Sequence, residues 1–134
     1  DSSGHEFLLP IKKVITGLST PESVTVTSDG KLLVSNIGGE PVSSNKLGFI
    51  SVNSVPKISE LDDPKGMALL DDELAILSDH PNVKLINIKN NEVLFSLPIA
   101  GAGFLNDAVA LSASQALLSD TGTGHIYKIE KNET

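Results

Sequence analysis

The chain has 134 residues, of which 40% are hydrophobic and 20% are charged, and this composition is typical of one globular domain. Seventeen acidic against ten basic residues give a formal charge of −7, which excludes a sequence-independent attraction to nucleic acid or to an anionic membrane surface. The sequence contains no cysteine, which excludes disulfides, thiolate metal sites and cysteine nucleophiles but leaves the compartment open.

Two parts are predicted at the N-terminal end of the chain. Residues 1–10 begin with small polar residues, and we expect a flexible segment there that lies outside the fold. Residues Ile11–Ile15 follow as a short strand-like run. The folded part is therefore expected to cover residues 11–134.

A phrase of the sequence then recurs three times, in repeats near residues 15–57, 58–98 and 99–130. The repeats begin at isoleucines that are 43 and 41 residues apart. In each repeat a corner residue lies 15 residues before a polar residue that ends a short apolar run; these pairs are Pro21 and Asn36, Pro64 and Asp79, and Leu105 and Asp120. Self-similarity at a fixed period indicates a repeat architecture.

Each repeat is predicted to begin with a β-hairpin. In the first repeat, Val24–Thr27 alternates β-branched residues, residues 28–31 have turn chemistry, and Leu32–Val34 is a short apolar run. The later repeats are richer in alanine and leucine, so local propensity also permits helices there, most clearly over residues 107–118. Because the three copies align, we predict hairpins in all of them and keep a helical third copy as the alternative.

The rest of each repeat is predicted to supply two more strands. Third strands are expected at residues 47–52, 83–88 and 125–130, and fourth strands at 55–61 and 93–97. The third repeat has no fourth strand. Four short antiparallel strands in roughly 42 residues are the pattern of a β-propeller blade. The sequence therefore predicts an all-β fold of three propeller blades, the last of which lacks its outer strand.

Three blades are fewer than the roughly four to eight that close a propeller ring. We predict that two chains pair head to tail as a homodimer, in which the strand Ile11–Ile15 of each chain completes the last blade of the other. A six-bladed ring would result. The rival interpretation is that the chain is one half of a longer single-chain propeller.

Several phrases resemble a known family of six-bladed propellers, the senescence marker protein/gluconolactonase family. They are Pro21–Val24 with Ser35–Asn36, Asn106–Val109, and Ser119–Ile129, and the resemblance covers residues 11–130. It implies a divalent cation at the mouth of the central channel, held by the residue that follows the corner in several blades. The resemblance thus implies Ca²⁺ or Mg²⁺ as a cofactor, because both ions prefer hard oxygen ligands.

The positions that match this ligand set are Glu22, Lys65 and Asn106. Glu22 and Asn106 fit it, but Lys65 departs from it because an ammonium group has no acceptor for a cation. Lys65 could instead pair with Glu22 across the channel without a metal. Asp107 is implied by the same resemblance as a general base acting on a lactone or on water. The alternative is that Asn106 or Asp107 accepts backbone hydrogen bonds where a strand begins.

The polar residue that closes the second strand of every repeat is predicted to be structural. We interpret Asn36, Asp79 and Asp120 as turn residues whose side chains bond to the backbone amides that follow them. A residue type that recurs in every blade favours a role in the fold over a role in chemistry.

Three functions are consistent with these residues. We favour a binding module over an enzyme, in which Glu22, Lys65 and Asn106 of both chains hold a small polar ligand at the channel mouth. The first alternative is a divalent-metal-dependent hydrolase of the lactonase type, with Glu22 and Asn106 as metal ligands and Asp107 as the base. The second alternative is a structural or protein-interaction propeller without a ligand. Neither a nucleic-acid nor a membrane partner is expected.

Overall fold

The computed structural model describes residues 10–40 and 45–132, and in these ranges the chain forms eleven β-strands and no helix. The strands in chain order are β1 (Pro21–Val26), β2 (Leu32–Asn36), β3 (Gly48–Val52), β4 (Val55–Leu61), β5 (Pro64–Leu69), β6 (Leu74–Asp79), β7 (Asn82–Asn87), β8 (Glu92–Pro98), β9 (Leu105–Ser112), β10 (Gln115–Asp120) and β11 (His125–Glu130). No helix that could cross a membrane is found in the described ranges. Residues 1–9 of the predicted flexible segment lie outside them.

The strands form three antiparallel sheets, one for each repeat of the sequence. Blade 1 consists of β1–β4, blade 2 of β5–β8 and blade 3 of β9–β11, and within each blade the strands are hydrogen-bonded in chain order. The predicted all-β class and the three sheets are thereby confirmed, and the third sheet has three strands among the described residues. The sheets have the form of propeller-like blades.

The alternative of a helical third repeat is wrong. The residues in question lie in β9 and β10, which pair with each other as antiparallel strands. Ala116 is fully buried, and Ala108 and Ala110 pack against the same cluster, which includes side chains from blade 2. Tertiary packing of these small side chains outweighs their helix propensity, which is a weak preference.

Residues 11–15 depart from the predicted strands. They pair with no strand in the part of the chain that the structure describes, and Ile11 and Val14 expose 84% and 83% of their surface. A strand is held by hydrogen bonds to a neighbouring strand, and these residues have none in a single copy. The run Ile11–Ile15 therefore forms no strand in a single chain, and its predicted pairing with a second copy stays a prediction.

The first strand of every blade carries a β-bulge at the same place. The corner residue, Pro21, Pro64 or Leu105, pairs with the last residue of the second strand, and the register then shifts by one residue. The extra residue follows the corner directly, so two residues of the first strand oppose one serine of the second. A bulge bends the strand and re-aims its side chains. The residues at the bulge are therefore directed differently from the rest of the strand.

The blades pack face to face through two apolar clusters. The first cluster joins blade 1 to blade 2 and includes Leu33 and Ile50 on one side and Met67 and Leu77 on the other. The second cluster joins blade 2 to blade 3 in the same way. The first strands β1, β5 and β9 lie next to one another at the inner ends of the blades. This arrangement brings the three bulges to a common place.

Candidate functional site

A polar cavity lies where the three bulges meet. It has a volume of about 300 Å³ and is lined by Glu22 and Ser23 of blade 1, Gly66 of blade 2, and Asn106 and Asp107 of blade 3. Three of the predicted site residues, Glu22, Asn106 and Asp107, are therefore brought together by the fold although 85 residues separate the first from the last. Ser23 and Gly66 also line the cavity and were not predicted.

The approach of blades 2 and 3 at this cavity requires a glycine. A Cβ atom on Gly66 would lie 2.6 Å from backbone atoms of both Asp107 and Ala108, closer than real Cβ atoms come to such neighbours. The sequence signal was present, since a glycine directly follows Lys65 at the bulge and glycine often marks a close backbone approach in a strand.

In two of the three blades, a serine of the second strand holds the bulge of the first strand through a hydrogen bond. Ser35 Oγ accepts a hydrogen bond from the amide of Ser23 at 3.1 Å, and Ser119 Oγ accepts one from the amide of Asp107 at 3.0 Å. Ser35 Oγ also donates to the carbonyl of Lys65 at 2.7 Å, which connects blade 1 to blade 2. In blade 2 the corresponding Ser78 Oγ is buried and has no partner among the described residues.

The side chains at the cavity combine two carboxylates with one amide. Asn106 Nδ2 donates to Thr121 Oγ1 at 3.1 Å, a bond that orients the amide and uses only its nitrogen. Asp107 Oδ1 accepts from the amide of Ala108 at 2.8 Å. Asp107 and Glu22 are exposed to solvent. The cavity therefore offers carboxylate and amide oxygens to a ligand.

Lys65 is directed away from this cavity. Only 1% of its surface is exposed, and its ammonium group forms an ion pair with the carboxylate of Asp63 in the corner before β5. The same nitrogen lies 4.3 Å from the centre of the Phe104 ring, and the buried His80 also stacks with this ring, at 6.4 Å between ring centres. The predicted pair with Glu22 is thus replaced by a pair with Asp63, and Lys65 does not line the cavity.

The surroundings of Lys65 account for this orientation. The Asp63 side chain is fully buried, and its second oxygen, Oδ1, has no hydrogen-bond partner in the part of the chain that the structure describes. A buried carboxylate without a counter-ion is strongly unfavourable, so the nearest cation is drawn to it. The aromatic face of Phe104 adds a cation–π contact. Sequence spacing alone gave no sign of this partner exchange.

Asn36, Asp79 and Asp120, at the ends of the second strands, hold the corners of the blades through hydrogen bonds from backbone amides. The hydrogen bonds are Ser19 N to Asn36 Oδ1 at 3.1 Å, Asp62 N and Asp63 N to the Asp79 carboxylate at 3.1 and 2.6 Å, and Gly103 N and Phe104 N to the Asp120 carboxylate at 2.9 and 2.8 Å. The prediction was that these side chains bond to the amides that follow them. Among the described residues, only Asp120 does so. The amides that bond to Asn36 and Asp79 come from the preceding corner, because that corner folds back over the end of the second strand.

The carboxyl group of Asp120 has a strongly perturbed pKa. Burial raises its pKa, but the amides of Gly103, Phe104 and Thr123 outweigh this effect and hold the pKa well below its usual value. The carboxylate is therefore ionised throughout the neutral range and is committed to backbone donors. This favours the structural interpretation of the position over a catalytic one.

The cavity of one chain supplies few ligands for a divalent cation. Within the described residues there is no group of three or more His, Cys, Asp and Glu side chains that could hold a metal ion. Glu22 and Asn106 supply hard oxygen atoms, but Ca²⁺ takes about 6–8 such ligands. One chain supplies too few of them, although its donor chemistry suits the ion.

Comparisons with known proteins support the fold. No protein-family model matches the chain, and no curated protein sequence matches it. Among solved structures, a gluconolactonase from Xanthomonas campestris, described as important in glucose secondary metabolic pathways, matches with a TM-score of 0.51 at 13% sequence identity. The match covers 99% of this chain and 54% of that one, so the chain spans about half the length of this structural neighbour. At this identity the likeness shows a similar propeller-like fold alone.

Proposed function

We propose that the chain is half of a propeller binding module: two copies form a six-bladed ring, and the channel mouth holds a small polar ligand. The observation that carries the proposal is the convergence of the three bulges on one polar cavity, with Glu22, Asn106 and Asp107 on its wall. Sites of this kind combine a concave shape with a few polar groups that fix a ligand's orientation.

The two-copy ring would complete this site. A two-fold axis along the channel places a second set of the same side chains opposite the first. The mouth then carries four carboxylates and two amides, the doubled contributions of Glu22, Asp107 and Asn106. Lys65 is held by Asp63 in each copy and takes no direct part in this arrangement.

The proposal is tested by ligand titration followed by amide NMR spectra of the labelled protein. Glucose and gluconolactone are the first probes, because the structural neighbour is a gluconolactonase and because both are uncharged, which suits a mouth that carries four carboxylates. Shifts are expected at residues 22, 106 and 107, and Glu22→Gln should weaken binding about tenfold or more because it removes a charge-assisted hydrogen bond. Asp29→Asn is the matched control, since this exposed carboxylate lies at the β1–β2 turn. If neither probe shifts these signals, the proposal fails and the propeller without a ligand is favoured.

A metal-dependent hydrolase of the lactonase type is the second candidate. It is favoured by the withdrawal of the Lys65 ammonium, which removes the positive charge that would oppose a cation beside Glu22 and Asn106. A bound Ca²⁺ or Mg²⁺ would polarise a lactone carbonyl. Asp107, next to Asn106 at the same cavity, would accept the proton of the attacking water.

Hydrolytic activity and its dependence on a metal distinguish the two candidate functions. The hydrolase predicts gluconolactone hydrolysis that is abolished by a chelator and restored by Ca²⁺ or Mg²⁺. Asp107→Asn should then lose turnover while keeping metal affinity, whereas Glu22→Gln should lose both. Ligand binding that is unchanged by a chelator, without turnover, supports the binding module instead.

A further inference from the structure

The blades of this chain pack on one another in a repeated, directional way. The forward face of a blade is defined here as the face turned to the next blade in the chain, and the rear face as the opposite one. In blade 1 the forward face includes Leu33 and Ile50, which pack on the rear face of blade 2. The forward face of blade 2, including Ile76 and Leu85, packs on the rear face of blade 3. Every interface within the chain is therefore forward on rear.

Two faces of the same kind have no partner in the described part of the chain. On the rear face of blade 1, Val24 and Val26 are 62% and 57% exposed. On the forward face of blade 3, Val109, Leu111 and Ile126 are 57%, 53% and 65% exposed. Each face forms an open groove, of about 230 and 290 Å³ respectively.

These exposed residues occupy places that are packed in the other blades. Val24 lies three residues after its corner residue, as the buried Met67 does on the rear face of blade 2. Val109 lies four residues after its corner residue, as the buried Ala68 does on the forward face of blade 2. Clustered apolar residues on a sheet face indicate an interaction site. These two faces therefore carry apolar residues at the positions that form the two interfaces between blades within the chain.

We infer that the forward face of blade 3 packs on the rear face of blade 1 of a second copy of this chain. This contact continues the series of internal interfaces. Three blades per copy and two copies give two identical contacts, so the ring closes with two-fold symmetry and leaves neither face open. The inference rests on the two-copy ring of the proposed function and assigns the surfaces that form it.

Residues 11–15 fit the same contact as the missing outer strand. Val14 and Ile15 line the groove on the rear side of blade 1, where the second copy would dock. Blade 3 ends in β11, whose outer edge has no partner strand among the described residues. The run Ile11–Ile15 of one copy adds to that edge in the other and supplies the strand pairing that a single copy lacks.

A charge exchange tests this assignment directly. Val24→Glu and Val109→Lys each place a charge on one of the two faces, and because both valines are exposed in the single chain, neither change opens a cavity within it. The wild-type chain is expected to sediment with the mass of two chains. Each variant alone buries two unpaired charges per dimer, so its dimer dissociation constant should rise by about 100-fold or more.

An equal mixture of the two variants is expected to restore the dimer. A mixed dimer has one contact in which glutamate faces lysine and one contact that is wild type, whereas neither variant alone can form such a pair. Leu94→Glu is the matched control and should stay dimeric, because Leu94 is also exposed, at 46%, but lies on β8 away from both faces. Circular dichroism verifies that each variant is folded; if one is not, Val26→Glu and Leu111→Lys replace the pair.

The possible outcomes separate the inference from the proposed function. A wild-type dimer without restoration in the mixture overturns the face assignment and the closed ring with it, whereas probe-induced shifts at residues 22, 106 and 107 in such a protein leave the ligand-binding role standing. A wild-type monomer at all concentrations overturns both the assignment and the ring. Restoration of the dimer in a protein that binds no probe supports the interface and contradicts the ligand-binding role.

Discussion

The buried pair Asp79 and Lys84 allows a sharp test of how the corner of blade 2 is held. The Asp79 carboxylate accepts hydrogen bonds from two corner amides at 3.1 and 2.6 Å and also forms an ion pair with Lys84. Each hydrogen bond to a charged acceptor contributes about 1.5–3 kcal/mol. Removal of one member of a buried ion pair costs about 3–5 kcal/mol, because the other charge is left without a partner. Asp79→Ala should therefore lower the free energy of unfolding by at least about 4 kcal/mol, a large share of the total of a small domain.

Blade 1 provides a natural replacement for this pair. Asn36 stands at the position of Asp79, and Ser51 stands at the position of Lys84 in the strand register. Asn36 accepts from the corner amide of Ser19 and donates from Nδ2 to Ser51 Oγ at 3.3 Å. The double variant Asp79→Asn with Lys84→Ser transplants this neutral pair into blade 2.

Asp79→Asn alone should be strongly destabilised, since its amide nitrogen would face the buried Lys84 ammonium, donor against donor. The double variant should be more stable than the sum of the single changes predicts, by about 1–3 kcal/mol. Urea unfolding at one fixed protein concentration measures this coupling. The exposed pair Lys128 and Glu130, 3.7 Å apart, is the control and should show coupling within experimental error. Additive effects at Asp79 and Lys84 would refute the account of the corner.

Three further predictions concern the bulges and the third blade. Gly66→Ala should destabilise the protein by about 1–3 kcal/mol in urea unfolding, because the added methyl group meets the backbone of blade 3. Ser35→Ala should cost about 1 kcal/mol because it removes the acceptor for Ser23. Ser78→Ala should be neutral or stabilising, since its hydroxyl is buried and has no partner among the described residues; equal losses at the two serines would contradict this. Asp120 has a lowered pKa in the folded state. Its carboxylate therefore stabilises the fold fully above the unfolded-state pKa of about 4, and this contribution is lost as the pH falls further. The urea midpoint of Asp120→Asn should depend less on pH in the acid range than the midpoint of the wild type.

Much of the fold could be predicted from the sequence because its signals are local. Alternation of apolar residues and turn chemistry recur at a constant period, and comparison of the copies removed the ambiguity of the alanine-rich third repeat. The run Ile11–Ile15 forms no strand in a single chain, and its predicted pairing with a second copy stays a prediction. A strand forms through pairing, and whether an edge is available depends on other parts of the molecule or on a second copy.

The candidate site could be predicted only in part. The family resemblance implied Glu22 and Asn106, which follow the corner residue, and it implied Asp107 as a base; all three line the cavity. The roles of Ser23 and Gly66 depend on how closely neighbouring blades approach, a distance that no spacing within one repeat reveals. That approach is set by the packing of β5 against β9.

The sequence by itself determined the number of blades, the order of their strands and the position of the residue after each corner. These features follow from backbone preferences and a repeat that acts over a few residues at a time. Only the tertiary structure decided where Lys65 points, although its bulge is the same as those that present Glu22 and Asn106. Its ammonium is held by a buried carboxylate at Asp63 and by the ring of Phe104 from the following blade. The direction in which a charged side chain points depends on which opposite charge is buried nearby. The position of that opposite charge is a property of the packed molecule.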